Sequence, residues 1–354
     1  MADYKREIEE LISVVSAEGA SDLHLSVGHH PTIRVSSDLV PLVKYEKLSP
    51  EDTMGFVMEL LIDENQKRFL ARKEIDFSYS PGSNMRFRCN AFFQKGVVGI
   101  AMRVIPQSVP TLQQLNLPDV LLGFAQKKQG FFLVVGPTGH GKSTTLASII
   151  NHINLDRAEH IITIEDPVEY IYEEGKSIID QREIHFDTHD FSTALQSMFR
   201  EDINVALVGE MRDPETMSAA VTAAETGHLI FSTLHTNTAA QTVDRILDAF
   251  PAAQQKQIRI QLAANLLGVF SQRLVPRVSG GLVPAYELLI NNKAVANLIR
   301  EGRTAEIDVI LETSMELGMV DLNHSLADLF RRGEITQENA YRFSTNPDVL
   351  ERLL

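Results

Sequence analysis

Cysteine is nearly absent. One thiol, Cys89, in 354 residues rules out an internal disulfide and a structural zinc site made of cysteines. What is left for Cys89 is the role of a small buried apolar residue. Positive charge is also scarce: 33 Lys and Arg against 47 Asp and Glu give a formal charge of −14. That balance argues against a nucleic-acid partner, with room only for a local basic groove. No apolar run is long enough to span a bilayer. The N-terminal "MADYKREIEELISVV" is interrupted by acidic residues, unlike a signal or transit peptide. These absences predict a soluble cytoplasmic protein without direct membrane insertion, reaching a membrane only through a partner. Repeats and low-complexity segments are missing too. With 44% hydrophobic and 23% charged residues the composition is that of a globular protein. The length suits one large domain or two ordinary ones.

Residues 4–17 set Ile8, Leu11, Ile12 and Val15 at helical spacing, and "SDLHLSV" alternates Leu23, Leu25 and Val27 with Asp22, His24 and Ser26 as a strand does. "TIRVSS", "IDFSYS", "MRFRCNAFF" and "VGIAMRVI" read as further strands, with a helix around 50–70. The first 105 residues thus form a small α+β unit. Pro106 and Pro110 mark a linker over 106–115. Beyond it the apolar strands "FFLVV", "HIITI", "NVALV" and "HLIFSTL" alternate with helical patterns, which predicts an α/β domain over 116–283 with a parallel sheet covered on both faces. From 284 to 354 the pattern reads as helical.

"GPTGHGKS" after the strand "FFLVV" fits G-x-x-x-x-G-K-[ST], the Walker A phosphate loop. Gly136, Gly139 and Gly141 let the backbone curl around phosphate. Lys142 brings a point charge to the β- and γ-phosphates of ATP, and Ser143 a hydroxyl to Mg²⁺. The nucleotide-holding segment is Gly136, Pro137, Thr138, Gly139, His140, Gly141, Lys142, Ser143 and Thr144. Such a site needs carboxylates at neighbouring strand ends. "NVALVGEMRD" ends in Gly209-Glu210, with Gly where a Walker B strand usually carries Asp, and "ITIEDPVEY" ends in Glu165, Asp166 and Glu169. Acids at strand ends are often merely solvated, but beside a phosphate loop they can hold metal-bound water or polarise the attacking one. Ser143, Glu165 and Glu210 are therefore the candidate Mg²⁺ ligands, partly through water. His228 and His235 bracket the strand in "AETGHLIFSTLHTN" and are candidates to sense phosphate, although a lone histidine is commonly structural. In "MRFRCNAFFQKGVVGIAMRVI" the alternation puts Met85, Phe87, Cys89 and Ala91 on one face and Arg86 and Arg88 on the other. Met102 and Val104 join the core in the second strand, and Arg103 points the opposite way; "QKG" between the strands suggests a hairpin. Arginines projecting from a domain without the loop can stabilise transition-state charge from outside, or simply keep a sheet face solvated.

Taken together, "GPTGHGKSTT", "TIEDPVEY", "QREIHFDTHDF", "LVGEMRDPET", "ETGHLIFSTLHTN" and "LVPAYELLINNKAVANLIREG" resemble the type IV pilus retraction ATPases, the PilT-like branch of the secretion ATPase superfamily. The resemblance runs from "ASDLHLSVG" to "ITQENA" and accounts for Gly-Glu at the Walker B position. It implies a PAS-like N-terminal domain, a RecA-like ATPase domain and a homohexamer with ATP between subunits. It also implies an inner-membrane platform protein as partner, a paralogous pilus ATPase beside it, and arginine fingers at Arg88 and Arg103, with Arg86 behind them. His140 stands where the family usually has Ser, a position that needs only its backbone N–H. "DTHDF" and "MELGM" lean toward the accessory PilU-like paralogue. Extension motors typically carry a tetracysteine zinc site, which one cysteine cannot supply. The catalytic set implied is Glu210, Glu165, Lys142, Arg88, Arg103, His228 and His235. The function implied is ATP-driven pilus retraction and twitching motility; a related secretion motor, or a RecA-like translocase of nucleic acid, is the alternative. In "KAVANLIREG" (293–302) Val295, Leu298 and Ile299 fall on one side of a helix and Asn297, Arg300 and Glu301 around the rest. The resemblance ties that segment to retraction rather than to nucleotide chemistry.

Overall fold

The spacing of Ile8, Leu11, Ile12 and Val15 is realised in α1 (Tyr4–Ala17), where these four turn inward. The computed structural model describes residues 3–36, 38–82, 85–106 and 108–354. Ser37, at the end of the strand expected over "TIRVSS", and Gln107, in the expected linker, lie outside the described residues. The chain divides into two units: Met1–Ser108 with Asp166–Ile171, and Val109–Glu165 with Tyr172–Leu354.

In the first unit α1 is followed by β1 (Asp22–Ser26), β2 (Thr32–Val35), β3 (Asp38–Pro41), α2 (Pro50–Leu60), α3 (Asp63–Arg72), β4 (Glu74–Tyr79), β5 (Arg86–Gln94) and β6 (Val97–Ile105). The strands form one antiparallel sheet in the order β3-β2-β1-β6-β5-β4. The single helix expected around 50–70 is two. Leu61 and Ile62 take extended backbone angles that end α2 and cap α3, and Leu61 is buried there. Lys95 and Gly96 join β5 to β6, with φ of 50° and 84°. Two consecutive residues with positive φ make the tight turn whose twist matches a hairpin. Phe87, Cys89, Ala91 and Met102 lie in this unit's core with Ile8, Leu11, Leu23 and Leu25. Arg88 and Arg103 alternate with these core residues and lie outside the cluster, directly opposite each other in the register.

The second unit contains α4 (Val120–Ala125), β7 (Gly130–Val135), α5 (Lys142–Asp156), β8 (His160–Glu165), β9 (Ile178–Glu183), α6 (Phe191–Met198), β10 (Val205–Val208), α7 (Pro214–Glu225), β11 (Leu229–Leu234), α8 (Ala239–Asp248), α9 (Ala252–Asn265), β12 (Leu266–Pro276) and β13 (Leu282–Ile290). Five α-helices close the chain: α10 (Lys293–Glu301), α11 (Ile307–Thr313), α12 (Leu322–Arg331), α13 (Gln337–Phe343) and α14 (Pro347–Leu353). The sheet order is β13-β12-β7-β11-β10-β8-β9. All pairs are parallel except β12 with β13. Helical layers on both faces explain the continuous apolar run of β7. Phe131, Leu133 and Val135 pack into the cluster that holds α7 residues such as Met217 and Ala220. Phe132 and Val134 enter the other cluster with Leu146, Ile149 and Ile150 of α5. Each such side chain, fully buried, contributes roughly 1.5–3 kcal/mol. The helical region expected from 284 begins instead at Lys293, because "LVPAYELLI" is the edge strand β13, paired along its length with β12. Among the described residues no helix is long and apolar enough to cross a membrane.

Candidate nucleotide site

The phosphate loop follows β7 directly, and Gly141 leads into α5 with φ of 78°. It therefore sits at the carboxyl end of a parallel sheet, the place where such sheets bind ligands. The first turn of α5 leaves backbone N–H groups without helical acceptors, a ready site for anions. The loop also lies against β12. A Cβ on Gly136 would come within 2.3 Å of the Gln272 carbonyl oxygen, at a φ of +140°, so only glycine fits there. Lys142 is buried, and its ammonium donates to the carbonyl oxygens of Gly136 and Pro137, each at 2.9 Å.

His235, just past the end of β11, draws the site together. Its Nδ1 lies 3.5 Å from Lys142 Nζ and 3.4 Å from Thr138 Oγ1, while Nε2 lies 3.5 Å from Glu210 Oε2. Glu210 stands just beyond β10, and its other oxygen is paired with the Arg212 guanidinium. Buried hydroxyls of β11 hold the end of β10 in place: Ser232 Oγ donates to the Val208 carbonyl at 2.7 Å and Thr233 Oγ1 to that of Gly209 at 2.6 Å. Glu165 ends β8, is buried, and accepts from Thr163 Oγ1 at 2.7 Å. Gly209 lies beside it. A Cβ at that position would sit 3.3 Å from the Ile164 carbonyl oxygen and 3.4 Å from Glu165 Cα. The strand ends are thus close, and a side chain at residue 209 would need its neighbours to give by a few tenths of an ångström.

Two expected residues lie in surroundings that their motifs do not show. His228 precedes β11, at the opposite end of the strand from His235. Its Nδ1 contacts the Ala223 carbonyl oxygen at 3.0 Å, at the end of α7, and its ring meets Phe199 edge-on at 5.6 Å between centroids. The strand's length separates it from its own chain's loop, by about 3.3 Å per residue, and its contacts within the chain are with the end of α7. His140 does more than offer a backbone N–H. Its Nδ1 accepts from Leu274 N–H at 2.8 Å, and burial together with the charges of Arg273 and Lys142 holds its pKa below the ordinary histidine value.

The candidate fingers belong to the first unit. Arg88 pairs with Glu169 at 2.9 Å, and Arg103 with Asp22 at 2.8 Å. Arg86 donates to Ser78 Oγ at 2.7 Å. Burial alone would raise the Asp22 carboxyl. Hydrogen bonds from Ser21 and Arg103 outweigh it and hold the group below its usual value. Arg103 keeps 72% of its side chain exposed and Arg88 44%, so both can still reach outward.

The type II/IV secretion system protein family matches residues 2–351. The Type IV pilus retraction ATPase PilT of Pseudomonas aeruginosa is 42% identical over 342 residues, covering 97% of this chain and 99% of that protein. The chain belongs to this family, in its PilT-like ATPase branch. Another PilT-like relative, the Type IV pilus ATPase PilU of the same organism, is 38% identical over 98% of the chain and 91% of its own length. A crystal structure of the pilus retraction motor PilT with bound ADP superimposes with a TM-score of 0.89 at 44% identity, over 97% of this chain and 98% of that one. The PilT-like fold, a parallel-sheet ATPase core preceded by a smaller α+β domain, is therefore the fold of this chain, and the chain is an ATPase. Several residues that build its site are not marked by a chemistry-bearing type: Gln272 lies in no motif, and Thr163, Ser232 and Thr233 lie inside "TIEDPVEY" and "ETGHLIFSTLHTN" beside the acids and histidines that stand out there. Their only trace in the sequence is a polar residue inside an otherwise buried strand, as in "HIITIE", "LIFSTL" and "VFSQRL".

Proposed function

We propose that this chain is a motor that retracts a type IV pilus, working as a homohexameric ring that hydrolyses ATP. The observation that carries the reading is the full-length similarity to PilT, joined to a loop, a lysine and two strand-end glutamates gathered at one end of the sheet. In this reading Gly136 to Thr144 cradle the phosphates and Lys142 turns from the loop carbonyls to the β- and γ-phosphates. Glu210 polarises the attacking water, being tied to His235, which touches Lys142. Glu165, set by Thr163, is the second carboxylate. Arg88 and Arg103 act on the ATP of a neighbouring subunit or brace the ring.

Mg²⁺ fits this donor set. Among the described residues no cluster of three or more His, Cys, Asp or Glu forms a metal cage. Mg²⁺ does not need one: it binds through one or two carboxylates, substrate phosphates and water. Ser143, Glu165 and Glu210 would hold it, and it would supply charge neutralisation at the transferring phosphoryl group. An inner-membrane platform protein of the pilus machine is the proposed partner, with a paralogous pilus ATPase as a second, which would place the ring in the cytoplasm at the inner membrane. The net charge of −14 weighs against DNA as the moved substrate. The test is direct imaging of labelled pili in cells stripped of their own retraction ATPases. Expression of this chain restores retraction; extension without retraction, despite normal expression, would refute the reading.

A further inference from the structure

β12 outruns its parallel neighbour. The two strands pair as far as Ser271 opposite Val135, where β7 ends and the phosphate loop begins, while β12 continues to Pro276. Past Ser271 the edge of β12 faces the loop rather than a strand, and its backbone donors need acceptors. Two side chains make the join. The Gln272 amide is buried and used at both ends. Its Oε1 accepts from Thr145 Oγ1 at 2.7 Å, and its Nε2 donates to the His140 carbonyl oxygen at 2.8 Å. The His140 ring reaches back and accepts the Leu274 N–H at 2.8 Å. The crest of the loop is thus fastened to β12 through both the backbone and the side chain of residue 140.

We propose that His140 is a positioning residue for the ATPase reaction, whose neutral ring locks the phosphate loop onto β12 and so sets nucleotide affinity. The inference rests on reading the loop as the phosphate cradle. An acceptor at Nδ1 requires the ring proton to sit on Nε2. Protonation would put a second donor against the Leu274 N–H and break the lock. Two cations face the ring, Arg273 from β12 and Lys142 from α5, and both oppose a third positive charge there; burial opposes it further. The lock therefore holds at neutral pH and releases only as pH falls below the ordinary histidine range near ~6.5. A serine hydroxyl at this position ends short of the Leu274 N–H. An asparagine places Oδ1 at the same branch as Nδ1, keeps the acceptor and cannot be protonated.

The experiment measures Mg-ADP binding by calorimetry, and KM and kcat for ATP, on full-length wild type, His140→Asn and His140→Ser. It is run at about pH 7.5 and about pH 5.5, bracketing the histidine range, with circular dichroism to report the fold. Loss of one such hydrogen bond corresponds to roughly a fivefold change in affinity. Wild type and His140→Asn bind alike at the higher pH, and wild type loses affinity relative to His140→Asn as the ring protonates at lower pH, to a limit of roughly fivefold. His140→Ser is weaker already at the higher pH by a similar factor, in KM and ADP affinity rather than in kcat. The proposal is overturned if His140→Ser matches wild type at the higher pH, or if His140→Asn falls to the affinity of His140→Ser there. The serine comparison decides the matter even if acid unfolds the protein. Absence of ADP binding by wild type at either pH would be a different failure, that of the loop as a nucleotide site.

Discussion

Glu287 offers the sharpest thermodynamic test of the core. It lies in β13 with a carboxyl that is almost wholly buried and accepts the Ala239 N–H at 2.7 Å, in the first turn of α8. Burial raises its pKa from 4.5 to about 7, and nearby Asp308 and Asp321 add to the rise, while the Ala239 N–H and Arg273 work against it. Between those two pH values the folded chain holds a proton that the unfolded chain releases, so stability is greatest below the unfolded value and falls as pH rises toward the folded one. At about 1.4 kcal/mol per pH unit the loss approaches ~3 kcal/mol by about pH 8. Glu287→Gln keeps an oxygen for the Ala239 N–H and carries no charge to bury. The variant should match wild type near pH 5 and exceed it at about pH 8 by roughly 2–3 kcal/mol, several degrees in Tm for a domain of this size. Thermal unfolding of the full chain without nucleotide, at both pH values, reads the difference. A Tm gap independent of pH, or a variant less stable than wild type at the higher pH, refutes the reasoning.

His228→Ala should cost about 1 kcal/mol of stability through the lost hydrogen bond at the end of α7, yet leave ADP affinity unchanged; weakened ADP binding would return this histidine to the site. Changing Asn297, Arg300 and Glu301 together to Ala leaves the buried face of α10, Val295, Leu298 and Ile299, untouched. ATPase turnover should stay near normal while labelled pili retract poorly; loss of turnover in step with retraction would make the helix purely structural. If Arg88 works across a subunit boundary, mixing Arg88→Ala with Lys142→Ala chains, each nearly inactive alone, should restore measurable phosphate release; none, in rings shown to be mixed, would count against action on a neighbour's ATP.

What the sequence disclosed was local. The loop could be read because strand, glycines, lysine and helix are contiguous, and α1 because four apolar residues repeat at one period. The β5–β6 hairpin showed in its turn residues. β12 and β13 escaped for a physical reason. "QLAANLLGVF" passes from α9 into a strand without a breaking residue, and short apolar runs such as "LVPAYELLI" carry no period that separates strand from buried helix. β9, "IIDQRE", is too polar to look like the sixth member of a parallel sheet. The site was half legible for the same reason. Lys142 and Glu210 sit in motifs, but Gln272 acts only after the sheet brings distant strands together. The histidines show the limit most clearly: both bracket one strand in sequence, and the strand's length sends one to the loop and the other away from it.

Nucleotide turnover by Glu210→Gln tests the central claim most directly. The substitution keeps the side chain's shape and removes the charge that the account assigns to polarising water. Purified wild type should release phosphate from Mg-ATP steadily. Glu210→Gln should bind ATP with near-wild-type affinity yet turn it over at least ~100-fold more slowly, as expected for loss of a group that acts in the transition state. Turnover by Glu210→Gln at the wild-type rate would contradict the account and pass the role to Glu165.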